Sequence, residues 1–270
     1  MDLSIIIPVH NDLRIERCVK SIDEEVEVIA ALNRPTKEVS DLVTKLGLIT
    51  CEVGKNNLGM AYNTGLATVS NDLALFMDSD CVFESGAIRS LYSEFKIDPT
   101  LMLARGRVIF QSNSLETELT RRARLVNTTN VPYAFIPPLM LKKQVFEKIN
   151  DGYSFAEDVV WCVDYEFELR RRKAGIPLKI VPDARIYHDP LSIKSDLKSA
   201  FMYGTGKRIR HERTGEKVDL IGVIKDPILK GVKEEGLVVG FYLTIWKTVL
   251  YTGYYTQKYF DVQRKLGNRK

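Results

Sequence analysis

Two groups of carboxylates stand where this chain could do chemistry on a phosphorylated substrate. The first is Asp78-Ser79-Asp80, which follows directly on the apolar residues Leu73 to Met77. A short unbroken apolar run, bounded by Asn71 and Asp72, predicts a strand buried on both faces of a parallel sheet. Ligands of open α/β sheets collect at the carboxyl ends of strands, so the acids lie where a site is expected. Two Asp side chains at i and i+2 of an extended backbone point the same way. They can share one hard divalent cation that also grips a diphosphate. With 17 Asp in 270 residues, chance supplies roughly one Asp-x-Asp pair. Its position after a buried strand is what singles this one out.

The second group is Glu157, Asp158, Asp164, Glu166 and Glu168, ahead of Arg170, Arg171, Arg172, Lys173 and Gly175. The pattern predicts a helix from about Asp164 that ends at Gly175, a suitable C′ glycine, with cations in its last turns. Capping of the helix start accounts for one of the acids and leaves the others. A carboxylate suits a base that accepts a proton from a hydroxyl only as that oxygen attacks. Asp164 and Asp158 are the candidates for that base.

The elements that must hold these groups follow from hydrophobic periodicity. Ser4 to Val9 is a short buried strand; Pro8 lacks a ladder donor and marks its end, where His10, Asn11 and Asp12 begin. Ile15, Cys18, Val19 and Ile22 then follow helical spacing. A strand over Val26 to Leu32 ends at Asn33, a helix carries Val39, Leu42, Val43 and Leu46, and a third strand runs from Leu48 to Val53. This β-α-β-α-β run is the signature of a doubly wound sheet. The loop from Lys55 leads through Asn57 and Gly59 into a helix bearing Asn63. Such a loop either offers backbone N–H groups to a phosphate or forms a tight strand-to-helix turn.

Beyond the acid pair, Ser85 starts a helix through Ile88, Leu91, Tyr92 and Phe95, and Leu101 to Phe110 reads as a strand. The polar stretch 111–130 carries Arg121, Arg122 and Arg124, which form either a solvated helix face or a contact to an anionic acceptor or lipid headgroup. Leu178 to Val181 is a short strand that stops before Pro182. His188 follows a strand end and is either a packed polar residue or a ligand. A helix over Ile193 to Tyr203 leads to Lys207, Arg208 and Arg210, which either clamp phosphate or belong to a surface turn.

Composition sets the outer bounds. The chain has 270 residues, 45% hydrophobic and 27% charged, with a net charge of +4. That describes a globular α/β protein and gives no reason to expect a nucleic-acid partner. Cys18, Cys51, Cys81 and Cys162 are scattered without a Cys-x-x-Cys, which predicts buried thiols in a reducing, cytoplasmic setting rather than a disulfide frame. Met1 leads directly into a strand with no basic n-region, so no secretory signal is expected. In the tail, Lys247 interrupts an apolar run too short to span a bilayer. Tyr242, Trp246, Tyr251, Tyr254 and Tyr255, with Arg264, Lys265, Arg269 and Lys270 beyond them, suit a helix lying in a membrane interface at its cytoplasmic face. The alternative is a helix packed on its own domain or in a homodimer. The expected division is a catalytic domain over 1–190 and a helical extension over 191–270.

These residues together carry a resemblance. Ile5-Ile6-Ile7-Pro8-Val9-His10-Asn11, Asn57-Leu58-Gly59 with Asn63-Thr64-Gly65-Leu66, and Phe76-Met77-Asp78-Ser79-Asp80 resemble the family 2 glycosyltransferases of the GT-A fold. The resemblance implies a mostly parallel sheet flanked by helices and a nucleotide-sugar donor, UDP-, GDP- or dTDP-linked. It implies a divalent metal, Mn²⁺ or Mg²⁺, on Asp78 and Asp80, and transfer with inversion to an acceptor hydroxyl, lipid-linked or on a polysaccharide. It assigns donor binding to Pro8, His10, Asn11, Asn33, Asn57, Gly59, Asn63, Asp78, Ser79 and Asp80. Many members carry an acid where Leu32-Asn33 stands and an Arg where Tyr62 stands, which leaves the base open. Counting back from Ala174-Gly175 places the catalytic base on Asp164, whereas counting from Glu157-Asp158 gives Asp158. Pro182-Asp183-Ala184 ahead of His188 matches the pattern in which that His completes the metal or diphosphate site, and Ala134 to Leu141 resembles the acceptor cleft. Two rivals stand outside this class. A nucleotidyltransferase also pairs acids at a strand end, but with a Gly-rich basic loop after the first strand that Pro8 to Asp12 does not form. A catalytically silent nucleotide-sugar-binding module would differ only in turnover.

Overall fold

In a computed structural model of the chain, the apolar runs become β1 (Ser4–Val9), β2 (Glu27–Leu32), β3 (Ile49–Glu52), β4 (Leu73–Phe76), β5 (Cys81–Phe83), β6 (Leu103–Phe110), β7 (Leu139–Lys142) and β8 (Lys179–His188). The helices between them are α1 (Ile15–Lys20), α2 (Lys37–Lys45), α3 (Leu58–Thr68), α4 (Ala87–Ile97), α5 (Leu115–Arg124), α6 (Gln144–Ile149) and α7 (Val163–Lys173). Three more close the chain: α8 (Ile193–Thr214), α9 (Leu220–Glu235) and α10 (Leu237–Gly267). The structure describes residues 1–54, 57–215 and 220–267, without the side chains of 220–224, 226, 227 and 261–267.

All eight strands form one sheet in the order β3-β2-β1-β4-β7-β6-β8-β5. β1 pairs in parallel with β2 and β4, and β2 with β3, so the first four strands in sheet order run the same way. β7 enters antiparallel between β4 and β6. Every residue of β4 is buried, which explains its continuous apolar run. Each large side chain there contributes ~1.5–3 kcal/mol relative to exposure. The strand stops at the acid pair because Asp78 and Asp80 could not be buried in a sheet interior without partners.

The chain divides into two compact units. The first comprises residues 1–109, 132–157 and 163–189; the second comprises 110–131, 158–162 and 190–270. The first unit holds the sheet, with a core of Ile6, Ile29, Phe76, Leu139, Phe155 and Phe167. Helix α3 packs closely on β1: a Cβ at Gly65 would lie 2.5 Å from the Ile6 Cγ2. Strand β8 does not stop at Pro182 but continues to His188, and Cys81–Phe83 of β5 pairs antiparallel with its end. The short strand expected before Pro182 is therefore the first part of a longer one. Its ladder register carries His188 opposite Cys81.

The second unit is built on α5, α8, α9 and α10. Its core contains Tyr242, Leu243, Trp246, Leu250, Tyr251 and Tyr254. Trp246 and three of the tail tyrosines thus serve as core residues. The exposed stripe of α10 is a different set, with Phe241, Tyr255, Tyr259 and Phe260 all at least 47% exposed. Among the described residues, no helix is long and apolar enough to cross a membrane. Arg264, Lys265, Arg269 and Lys270 lie outside the described side chains.

Four of the basic residues that suggested an anion contact, Arg121, Arg122, Arg124 and Arg208, have acidic partners within this unit. Arg124 is buried, pairs with Asp196 and lies against the rings of Phe110, Tyr203 and Trp246. Arg121 pairs with Glu118, and Arg122 with Glu235. Lys207, Arg208 and Arg210 belong to α8 rather than to a turn, and Arg208 is paired with Glu212.

Candidate active site

The carboxyl ends of β1, β4 and β8 bring the candidate donor residues of the first unit together. At the end of β1, His10 Nδ1 donates to the Asn33 carbonyl at 2.5 Å. Asn11 Oδ1 accepts from the Thr36 N–H at 2.8 Å. The loops after β1 and β2 are thereby tied into one rim, with Pro8 in register with Ala31 and Asn33 buried at its base.

At the end of β4, Ser79 is buried and Asp80 turns toward β8. His188 Nε2 lies 3.3 Å from Asp80 Oδ2, the two side chains keeping 17% and 24% of their surface. The other ring nitrogen, Nδ1, lies 2.7 Å from the Asp189 carbonyl, which orients the imidazole. Burial would raise the Asp80 carboxyl, but the hydrogen bond and charge of His188, with Arg14, outweigh it and hold Asp80 low. Burial would lower His188, and its bond to Asp80 outweighs that and raises it. Asp78 goes the other way: burial, then repulsion by Asp80 and Asp164, push its carboxyl well above the ordinary range. The acid pair is thus electrostatically divided, one member anionic and one poised to gain from a cation.

Asp80, Cys81 and His188 each bring one donor atom within 4.8 Å of the others. Burial, reinforced by Asp80 and Asp78, pushes the Cys81 thiol far up, so it packs as a protonated thiol. The donors that remain are carboxylate oxygen and imidazole nitrogen, a mixed set that can hold a divalent cation. Asp78, expected as a ligand, is not among these clustered donor atoms; its raised carboxyl would be brought toward its anionic form by a cation bound nearby. The residues present fit a divalent metal.

The second acidic group sorts cleanly. Glu166 is buried and bonded to Arg170 at 3.0 Å and to the Tyr153 hydroxyl at 2.7 Å. Glu168 is buried against Arg171 at 2.7 Å and accepts from the Ala134 N–H at 2.9 Å. Both are structural pairs that fasten α7. Glu157 Oε1 accepts from Asn63 Nδ2 at 2.9 Å. Asp158 belongs to the second unit, where its half-exposed carboxylate pairs with Arg213. Asp164 differs from all four. In the first turn of α7, it accepts from the backbone N–H of Tyr165 at 2.8 Å and of Ile136 at 3.4 Å. Burial raises its carboxyl to about 6, against those two N–H groups and the charge of Arg105. It also lies near enough to Asp78 to raise that group in turn.

Asn57, Gly59 and Asn63 hold a protein segment. Asn57 caps α3 through the Met60 N–H at 2.8 Å, and its Nδ2 donates to the Glu157 carbonyl. Asn63 bonds the Phe155 backbone on both sides, N–H and carbonyl, at 2.9 Å each. A Cβ at Gly59 would collide with the Ala156 carbonyl. The three clamp residues 155–157 onto α3, just ahead of α7, while Tyr62 packs between Phe76 and Phe155.

Sequence reasoning misses Arg105. It is 1% exposed on β6, lies over the Phe135 ring at 5.5 Å and senses the charges of Asp164 and Glu168, while burial draws its guanidinium down to about 10. Its signal was an Arg within an apolar strand, a position that requires an acidic partner.

Residues 4–163 match the family model described as Glycosyl transferase family 2. The chain belongs to this family. Solved structures with the same architecture include S. aureus TarS 1-349, at a TM-score of 0.56 and 15% identity, covering 97% of this chain and 92% of that one. The same TarS fragment in complex with UDP-GlcNAc matches at a TM-score of 0.57 and 14% identity, with the same coverage. The mannosyltransferase PcManGT from Pyrobaculum calidifontis, in complex with GDP-Man and Mn²⁺, matches at a TM-score of 0.60 and 14% identity, covering 92% of this chain and 73% of that one. These likenesses establish the GT-A fold for this glycosyltransferase family member. No curated protein matches its sequence.

Proposed function

We propose that this glycosyltransferase moves a hexose-type sugar from a nucleoside diphosphate sugar to an acceptor hydroxyl with inversion, and that Asp164 is its base. The observation that carries this is the isolation of Asp164. It is the one acid of its group held only by backbone N–H groups, and its charge is felt by Asp78. UDP-GlcNAc on TarS, and GDP-Man with Mn²⁺ on PcManGT, support a nucleotide sugar and a divalent metal here as well. Asp78, Asp80 and His188 would hold that metal, which supplies Lewis-acid assistance to the departing diphosphate. Pro8, His10, Asn11 and Asn33 line the nucleoside end, largely through backbone groups, with Ser79 beneath.

Transfer is a single in-line displacement. The acceptor oxygen bonds to the anomeric carbon as the bond from that carbon to the diphosphate oxygen breaks, and the acceptor proton passes to the Asp164 carboxylate. The raised carboxyl makes Asp164 a stronger base than an ordinary Asp near neutral pH. The backbone N–H groups of Ile136 and Tyr165, and then the charge of Arg105, limit the rise to about 6, so that the group is mostly ionised at pH 7. Inversion is tested by proton NMR of the first-formed product: opposite anomeric configuration to the donor is expected, and retention overturns the single displacement.

The same assignment fixes a pH dependence. Asp164 works ionised and titrates at about 6, so kcat/KM should climb with pH through about 6 and level off above it. Activity is lost as pH falls, because protonation removes the base. A profile flat from pH 5 to pH 8 contradicts the assignment.

A further inference from the structure

Three loops of the first unit each send a carboxylate to one side chain, Arg14. After β1, Asp12 receives it bidentately, with Nε to Oδ1 at 2.9 Å and Nη2 to Oδ2 at 2.7 Å. After β8, Asp189 Oδ2 accepts from Nη1 at 3.2 Å. After β4, Asp80 Oδ2 lies 3.5 Å from Nη2. That same Asp80 oxygen faces His188 Nε2, so Arg14 stands beside the donor atoms that suit a metal. Arg17, one turn further along α1, pairs with Asp189 at 2.7 Å and reaches only the backbone carbonyl of Asp80. Neither arginine is a buried strut: their side chains keep 45% and 49% of their surface. Both can change partners without unpacking the core.

A guanidinium and a divalent cation cannot share one carboxylate oxygen without repulsion. An anion placed between them removes the conflict, and a diphosphate is such an anion. The planar fork of Arg matches phosphate oxygens as well as it matches a carboxylate. We infer that Arg14 is the resident counter-ion of this acid cluster, that it yields Asp80 when metal and nucleoside diphosphate arrive together, and that it then binds the diphosphate, with Arg17 beside it. The inference rests on the donor and metal site proposed above. Its consequence is coupling: free metal competes with Arg14 and binds weakly, whereas metal and diphosphate together recruit it. The site is kept from filling with metal before the donor is present.

The test is equilibrium binding, with no turnover required. Mn²⁺ alone is titrated by loss of the free-ion EPR signal, and UDP and GDP are titrated calorimetrically at saturating Mn²⁺. Arg14→Gln should bind Mn²⁺ alone ~5–20-fold more tightly and nucleoside diphosphate ~5–20-fold more weakly, magnitudes usual for coupling between neighbouring ligands. Arg17→Gln, which loses no contact to the Asp80 carboxylate, should weaken the diphosphate without tightening Mn²⁺. Arg14→Lys keeps the charge and should leave Mn²⁺ binding near wild type. Wild-type protein that binds Mn²⁺ and diphosphate, with an Arg14→Gln variant that shifts neither, or shifts both in one direction, overturns the role of Arg14 alone. Wild-type protein that binds neither overturns the site beneath it, and this inference with it.

Discussion

Asp80→Ala is expected to lower donor turnover by ~10²–10⁴-fold in Mn²⁺ or Mg²⁺, because it removes a ligand from a metal that supplies several kcal/mol of charge stabilisation. The loss should be purely functional. Asp80 retains 24% of its side-chain surface, and its side-chain contacts are polar, to His188, Arg14 and the Cys81 thiol, so little apolar packing is lost. The variant should melt close to wild type, and added metal should not rescue it. A variant that unfolds would mean that the His188 contact is structural. A variant that turns over normally would remove the metal from Asp80.

The second large effect belongs to the base. Asp164→Asn is nearly isosteric and its one amide oxygen can keep the shorter bond from the Tyr165 N–H at the expense of the longer one from Ile136, but it cannot take a proton near neutral pH. Transfer should fall by ~10²–10⁴-fold, while nucleoside diphosphate binding changes little. Asp158→Asn is the companion experiment. Its carboxylate is 58% exposed and paired with Arg213, so its removal should leave transfer near wild type. The reverse pattern would place the base six residues upstream.

The fold was legible because its signals are local. The run at β4, the β-α-β-α-β order and the acids at a strand end all follow from burial and period, and each stands where the chain pattern places it. His188 was legible through its place after a strand, although the strand itself runs on through Pro182. What stayed illegible depends on tertiary partners. Residue types and spacing alone do not show that Glu166 and Glu168 are spent on Arg170 and Arg171 while Asp164 accepts from backbone N–H groups; only the family resemblance singles out Asp164. Arg14 and Arg17 carry no signal in the sequence, because their partners Asp80 and Asp189 lie on distant strand ends. The aromatic tail left two readings open for a related reason. Tyr and Trp mark an interface or a core equally well, and only packing on α8 decides that Trp246 is core. The loop before α3 left a phosphate site and a tight turn both open, and the clamping of residues 155–157 by the Asn57 and Asn63 side chains depends on a partner segment distant in sequence.

The central claim, metal-assisted use of a nucleotide sugar, is tested most directly by nucleoside diphosphate release. Purified protein is incubated with a panel of UDP-, GDP- and dTDP-sugars, with Mn²⁺ and after chelation. The account predicts release from at least one donor, abolished by chelation and restored by Mn²⁺ or Mg²⁺. Full-rate release from chelated protein, or no release from any donor with metal present, would contradict it.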